Sequence, residues 1–172
     1  CFAKAIELKP DNMLGYGAMV ELLEGINDVC AAVDLYDKLI ELSPNAAGLY
    51  YQKAIALARM NANDEARKYL EKSVELNPRM IQAYFMLGSV CFETKDYPAA
   101  VRYLSFYGNV RPKNTRAWEL LAAAHFRQEQ FNEAIGAYLK ISEHGDATAA
   151  QKIQGMYLML VTGNPELFEK IG

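Results

Sequence analysis

The chain has 172 residues, 52% of them hydrophobic and 23% charged, with a formal net charge of −3 and an isoelectric point near 5.5. This balance supports a buried core and excludes the basic footprint of a nucleic-acid binder. No apolar run is long enough for a helical membrane span, no block of like charge stands out, and the three cysteines Cys1, Cys30 and Cys91 are too few and too scattered for a disulfide framework.

In chain order, residues 1–12 read as the end of a helix, with Phe2, Ala5, Leu8 and Pro10 on a pattern that the rest of the chain repeats. Four units follow, 13–46, 47–80, 81–114 and 115–148, at a period of 34 residues. Three ladders define the period: Pro10, Pro44, Pro78 and Pro112; Ala32, Ala66, Ala100 and Ala134; and the aromatics Tyr16, Tyr50, Tyr84 and Trp118. A fixed period of this length predicts a stacked repeat architecture. Each unit opens with a segment of helical spacing, such as Tyr84, Leu87, Gly88 and Cys91 in the third. A polar break follows, at Asn27-Asp28, Asn61 to Asp64, Thr94 to Asp96 and Glu129-Gln130, where Asp and Asn are expected to cap a second helix. Pro98 suits the first turn of such a helix. The second segment, for example Ala134, Tyr138 and Ile141, ends near the ladder proline, which stops helices. Small residues in the first helix (Ala54, Gly88, Ala122) are expected to face Ala66, Ala100 and Ala134 in the second where the two cross closely. Residues 149–172 read as a degenerate or truncated unit, with Lys152 at the aromatic place, Phe168 at the alanine place, and Asp146 where a fifth ladder proline would stand.

The period, the aromatic opening, the Leu87-Gly88 pair, the central alanine and the closing proline resemble the tetratricopeptide repeat (TPR) over nearly the whole chain. The pattern departs at Val20, which replaces its small residue, and the glycine before the second helix is absent throughout. The resemblance implies an all-α, right-handed superhelical solenoid of antiparallel helix pairs forming one solenoid domain. The chain begins in mid-repeat, and 164–172 reads as the start of a further helix. A longer repeat protein, or end helices that stack on other chains, is therefore expected.

Catalytic constellations are thin. His125 sits where other units hold Leu23, Leu57 and Cys91 and reads as a core-edge histidine, while His144 marks a loosened closing turn. Cys91 reads as a buried thiol. No metal-ligand spacing, phosphate loop or nucleophile motif is present, and Glu71/Glu75 and Glu129/Glu133 are ordinary solvated pairs. No cofactor, metal or enzymatic activity is expected.

The resemblance instead implies a concave face lined by the first helices. Its site residues here are Tyr51, Ile55 and Arg59; Gln82, Phe85 and Phe92; and Arg116, Glu119, Phe126 and Arg127. Ile153, Tyr157 and Leu160 continue it. Aromatic rings flanked by arginine are enriched at binding hot spots. Some of these rings are expected to serve packing as well. The carboxylate clamp of chaperone adaptors is not implied, because its places hold Gly17, Glu21, Gln52, Gln82 and Met86, or in a shifted frame Tyr51, Ile55, Met86, Arg116 and Leu120. The expected function is a scaffold binding a peptide segment of a partner protein, without nucleic acid or membrane insertion and in the cytoplasm. The alternatives are self-association as a homo-oligomer, through end helices stacking end to end or through one chain's tail in another's groove, and a substrate-selecting region of a larger enzyme.

Overall fold

The computed structural model describes residues 13–26 and 28–143, together with positions 150, 153, 154 and 157. The expectations for 1–12, for His144 and Asp146, and for most of 149–172 lie outside the described residues. Among the described residues there are eight α-helices and no strand. These are α1 Met13–Gly25, α2 Val29–Leu42, α3 Ala47–Arg59, α4 Asn63–Leu76, α5 Ile81–Glu93, α6 Tyr97–Val110, α7 Thr115–Arg127 and α8 Phe131–Ser142. The fold is all-α, as the periodicity predicts, and no described helix is long and apolar enough to cross a membrane.

The chain forms two compact units that divide after Val90. In the first, α1 packs on α2, α2 on α3 and α3 on α4. Its core joins Tyr16 and Val20 of α1 to Tyr36 and Leu39 of α2 and Ala56 of α3. Ala54 of α3 and Ala66 of α4 are wholly inaccessible in the packed pair. In the second unit α6 packs on α7 and α7 on α8, with Ala122 and Ala134 likewise wholly buried. A Cβ placed on Gly108 of α6 would lie 3.0–3.1 Å from the ring of Trp118 on α7, so glycine there sets how closely the two helices approach.

The proline ladder ends the second helices in the expected way. Ser43, Asn77 and Arg111 close α2, α4 and α6, and each precedes a ladder proline. Their ψ angles of 73°, 89° and 63° lie outside the helical region, as the following pyrrolidine ring requires. The aromatic ladder is tied to the proline ladder. Tyr50 Oη donates to the Pro44 carbonyl at 2.8 Å, and Trp118 Nε1 donates to the Pro112 carbonyl at 2.9 Å. Each bond fastens the start of a first helix to the turn before it.

The turns inside the pairs carry a feature that residue type does not announce. Asn61, Lys95 and Glu129, one period apart, have φ of 60°, 63° and 59°. The next backbone N–H reaches back to the first helix in each case: Ala62 to Leu57 O, Asp96 to Cys91 O and Gln130 to His125 O, at 2.8–3.0 Å. This is a Schellman closure, in which a left-handed residue lets the chain satisfy the helix's last carbonyls. These three positions, where the resemblance leads one to expect a glycine, are thus taken by residues held in the conformation glycine prefers.

Capping follows the sequence expectation at two of the four polar breaks. Asp28 accepts from Ala31 N, and Asp96 accepts from Ala99 N at 3.2 Å, with Pro98 in the first turn of α6. At the other two breaks the N-cap position falls to Ala62 and Gln130, which make no side-chain cap bond. The Asn and Asp of the Asn61–Asp64 run sit one residue either side of the cap or further into α4. Asn114 caps α7 instead, accepting from Ala117 N at 3.1 Å.

Candidate functional site

The ten sequence-predicted site residues lie on α3, α5 and α7, and none is buried. In the first unit Tyr51, Ile55 and Arg59 follow one another at four-residue spacing along α3, with Tyr51 and Ile55 half-buried and Arg59 exposed. On α5, Gln82 is exposed and Phe85 half-buried, and the Phe85 carbonyl accepts from Ser89 Oγ at 3.0 Å. In the second unit Phe92, Glu119 and Phe126 are half-buried, and Arg116 and Arg127 are exposed. Ile153 is half-buried and Tyr157 exposed, while Leu160 lies outside the described residues.

Two of these rings have packing partners. Phe92 meets Tyr97 edge-on at 5.5 Å between centroids, and Phe126 meets Phe131 in the same way at 5.5 Å. Both pairs stand one period apart and join the last turn of a first helix to the start of its second helix. Each ring is held by a neighbouring ring while staying only half-buried, which limits the conformational entropy that binding would remove. Arg116 pairs with Glu119 at 3.3 Å on the exposed face of α7. The Tyr138 phenol is held above its ordinary pKa by its burial and, to a lesser degree, by the charge of Glu119.

His125 is half-buried, and its Nδ1 lies 2.7 Å from Gln130 Oε1, within the turn that its own carbonyl closes. Cys91 is completely buried, and Cys30 is exposed. No cluster of three or more potential metal ligands occurs among the described residues.

The sequence reading missed Lys53. This lysine is 4% exposed in α3. Its ammonium pairs with Asp37 of α2, donates to Tyr69 Oη of α4 at 2.9 Å, and lies 4.3 Å from the centre of the Tyr69 ring. Burial works against its charge, but the bonds to Asp37 and Tyr69 outweigh it and raise the pKa above the ordinary lysine value. The period held the signal, because the equivalent positions in the two following repeats are Leu87 and Leu121, both buried. A lysine at a core leucine position requires an internal partner.

A second missed feature is a recess of about 260 Å³ in the first unit. Buried Val20, Tyr36 and Leu39 form its floor and Leu49 a wall, while exposed Glu21 and Gln52 stand at the rim beside Gly17. A Cβ added to Gly17 would meet nothing within 4 Å.

Comparison with known proteins follows the same lines. The family of anaphase-promoting complex (cyclosome) subunit 3 matches residues 61–141. No curated protein matches the chain. Several solved structures are similar. YrrB, described as a TPR protein with an unusual peptide-binding site, has 23% identity and a TM-score of 0.80, over 99% of this chain and 88% of that one. MamA from Desulfovibrio magneticus RS-1 has 22% identity and a TM-score of 0.80, over 92% of each chain. PilF of Pseudomonas aeruginosa has 16% identity and a TM-score of 0.72, over 99% of this chain and 78% of that one. At these identities the likeness is one of fold.

Proposed function

We propose that this chain, an array of tetratricopeptide repeats, is a protein–protein interaction scaffold whose first-helix faces bind a segment of a partner protein. The observation that carries the reading is the repetition of a half-buried phenylalanine, packed on a neighbouring ring, at Phe92 and Phe126, with exposed Arg116 and Arg127 on the same helix as Phe126. Pre-fixed rings on a face that also carries guanidinium groups suit a peptide with apolar anchors and carbonyl or carboxylate acceptors. In the first unit Tyr51, Ile55, Arg59, Gln82 and Phe85 offer a face of the same composition. The similarity to YrrB, a TPR protein described with a peptide-binding site, supports the reading.

The test is selection of peptides from a random displayed library on the wild-type chain, followed by titration of the enriched peptides. Phe92→Ala combined with Phe126→Ala is expected to weaken them by tenfold or more, on the order of 1.4 kcal/mol or above. Because that variant also loses two ring contacts, Arg116→Glu with Arg127→Glu serves as a second probe at exposed positions. Unchanged affinity in both variants, each with a wild-type helical melt, rejects the reading.

A further inference from the structure

The 34-residue register explains why the recess in the first unit exists. The positions equivalent to Gly17 are Tyr51, Phe85 and Glu119, so the first repeat lacks a side chain that every later repeat carries. Two of those three are aromatic. A Cβ on Gly17 would meet nothing within 4 Å, and the recess that Gly17 lines is also lined by Val20 and Leu39, which belong to the packed core. The recess is therefore preformed: its floor is held by contacts among α1, α2 and α3 rather than by anything that must move. Its volume of about 260 Å³ exceeds the ~150 Å³ of a cavity that admits benzene, room enough by volume for one aromatic ring.

The rim carries the second half of the recognition. The positions equivalent to Glu21 are Ile55, Ser89 and Ala123, so only the first of the four repeats places a charge there. Glu21 is exposed, and it forms no ion pair among the described residues. Gln52, also at the rim, has both a donor and an acceptor to offer an extended backbone.

From this we infer that the recess is a specificity pocket for one aromatic side chain of a partner segment that carries a lysine or arginine beside it. The partner's ring takes the register position that Tyr51 and Phe85 hold in the following repeats, and its cation pairs with Glu21. The ring supplies most of the affinity. The exposed ion pair is weak, and it selects between partners rather than holding them. This inference rests on the reading of the chain as a binder of protein segments and deepens it, since Gly17 and Glu21 are the first repeat's equivalents of Tyr51 and Ile55 on the first-helix face.

The experiment uses fluorescently labelled, capped alanine hexapeptides that carry one phenylalanine followed by lysine, glutamine or glutamate, and a control with alanine for phenylalanine. Anisotropy titration of the whole chain is expected to rank the lysine peptide about two- to fivefold above the glutamine peptide, with glutamate weaker still. The peptide without a ring is expected to lose on the order of tenfold. Gly17→Phe fills the recess from within and should reduce binding by tenfold or more, whereas Gly17→Ala leaves most of the volume and should change it little. Both variants remove a helix-interior glycine into open space, so their melting temperatures should equal or exceed the wild type's. Glu21→Lys should reverse the order of the lysine and glutamate peptides.

Equal affinities in wild type and Gly17→Phe overturn the inference, as does an order that Glu21→Lys leaves unchanged, or an absence of saturable binding by the ring-bearing peptides. If Gly17→Phe instead converts a dimer to a monomer without altering peptide affinity, the recess belongs to a second copy and the inference also fails. Sensitivity to Phe92→Ala/Phe126→Ala without sensitivity to Gly17→Phe removes the pocket and keeps the aromatic-face reading. The converse result keeps the pocket and removes that reading.

Discussion

Asn61, Lys95 and Glu129 each hold a left-handed backbone at the turn between a first and a second helix. For an L-residue this conformation costs about 1–2 kcal/mol, least for asparagine, whose short amide is tolerated there. The cost is met because the turn lets the following N–H satisfy a carbonyl of the first helix. Glycine would relieve the strain but adds freedom to the unfolded chain, which offsets part of the gain. Lys95→Gly and Glu129→Gly are therefore each expected to stabilise the chain by ~0.5–1 kcal/mol, with Asn61→Gly near neutral. For a chain of this size the gain appears as a rise of roughly 2–4 °C per kcal/mol in a thermal melt. A fall in melting temperature for both Lys95→Gly and Glu129→Gly would show that their side chains, not the backbone, hold the turn. Residue identity alone did not reveal this geometry, since all three residues are polar and read equally well as solvent-facing turn or cap. Only the 34-residue spacing marks them as one structural position.

At the level of elements, Lys53 links three helices, α2 through Asp37, its own α3, and α4 through Tyr69. Asp37 is half exposed, whereas the ammonium is buried. The two partners are thus not equivalent. Removing Asp37 leaves a buried cation with only the Tyr69 hydroxyl and ring; removing the lysine leaves a carboxylate that water can reach. Asp37→Ala should therefore cost roughly 1–3 kcal/mol. Lys53→Leu, which installs the residue that stands at positions 87 and 121, should be neutral or stabilising. Urea titration of both variants distinguishes the cases, and an equal loss in each would refute the asymmetry. The pH dependence has a definite sign. A lysine whose pKa is raised in the folded state contributes stability that is complete below its unfolded value of about 10.4 and disappears as pH climbs through the folded value. The buried phenol of Tyr138, also raised, loses its share above its unfolded value of about 10. Stability should then be flat through neutrality and fall in alkali, and Lys53→Leu should flatten that fall without abolishing it. The helix pattern hid this cluster because Lys53 lies among apolar residues of α3 whose period reads the same with or without it. Comparing equivalent positions exposes it.

Across the described residues, what the sequence made legible is what repeats: eight helices punctuated by prolines, alanines buried in the packed pairs, and first-helix faces that remain accessible. What differs between repeats was harder to read, because Gly17, Lys53 and Gly108 take their meaning from the residues that occupy the same place elsewhere or pack against them. That contrast bears on how stability is distributed. Within each unit, helices pack on their neighbours in sequence, and in such arrays stability is close to a sum of local terms. Trp118 offers a sharp probe. It is 7% exposed, its ring lies against Gly108 of α6, and its Nε1 holds the Pro112 carbonyl. Trp118→Ala should cost about 3–5 kcal/mol locally. In a cooperative globular domain that loss would lower amide protection everywhere by the same free energy; in a chain of nearest-neighbour contacts it should concentrate where the contacts are lost. Native-state hydrogen exchange of Trp118→Ala is therefore expected to show strongly accelerated exchange in α6, α7 and α8, and far smaller changes in α1, α2 and α3. Uniform acceleration through all eight helices would mean that the two units unfold as one, and that a partner bound to either would stabilise both equally.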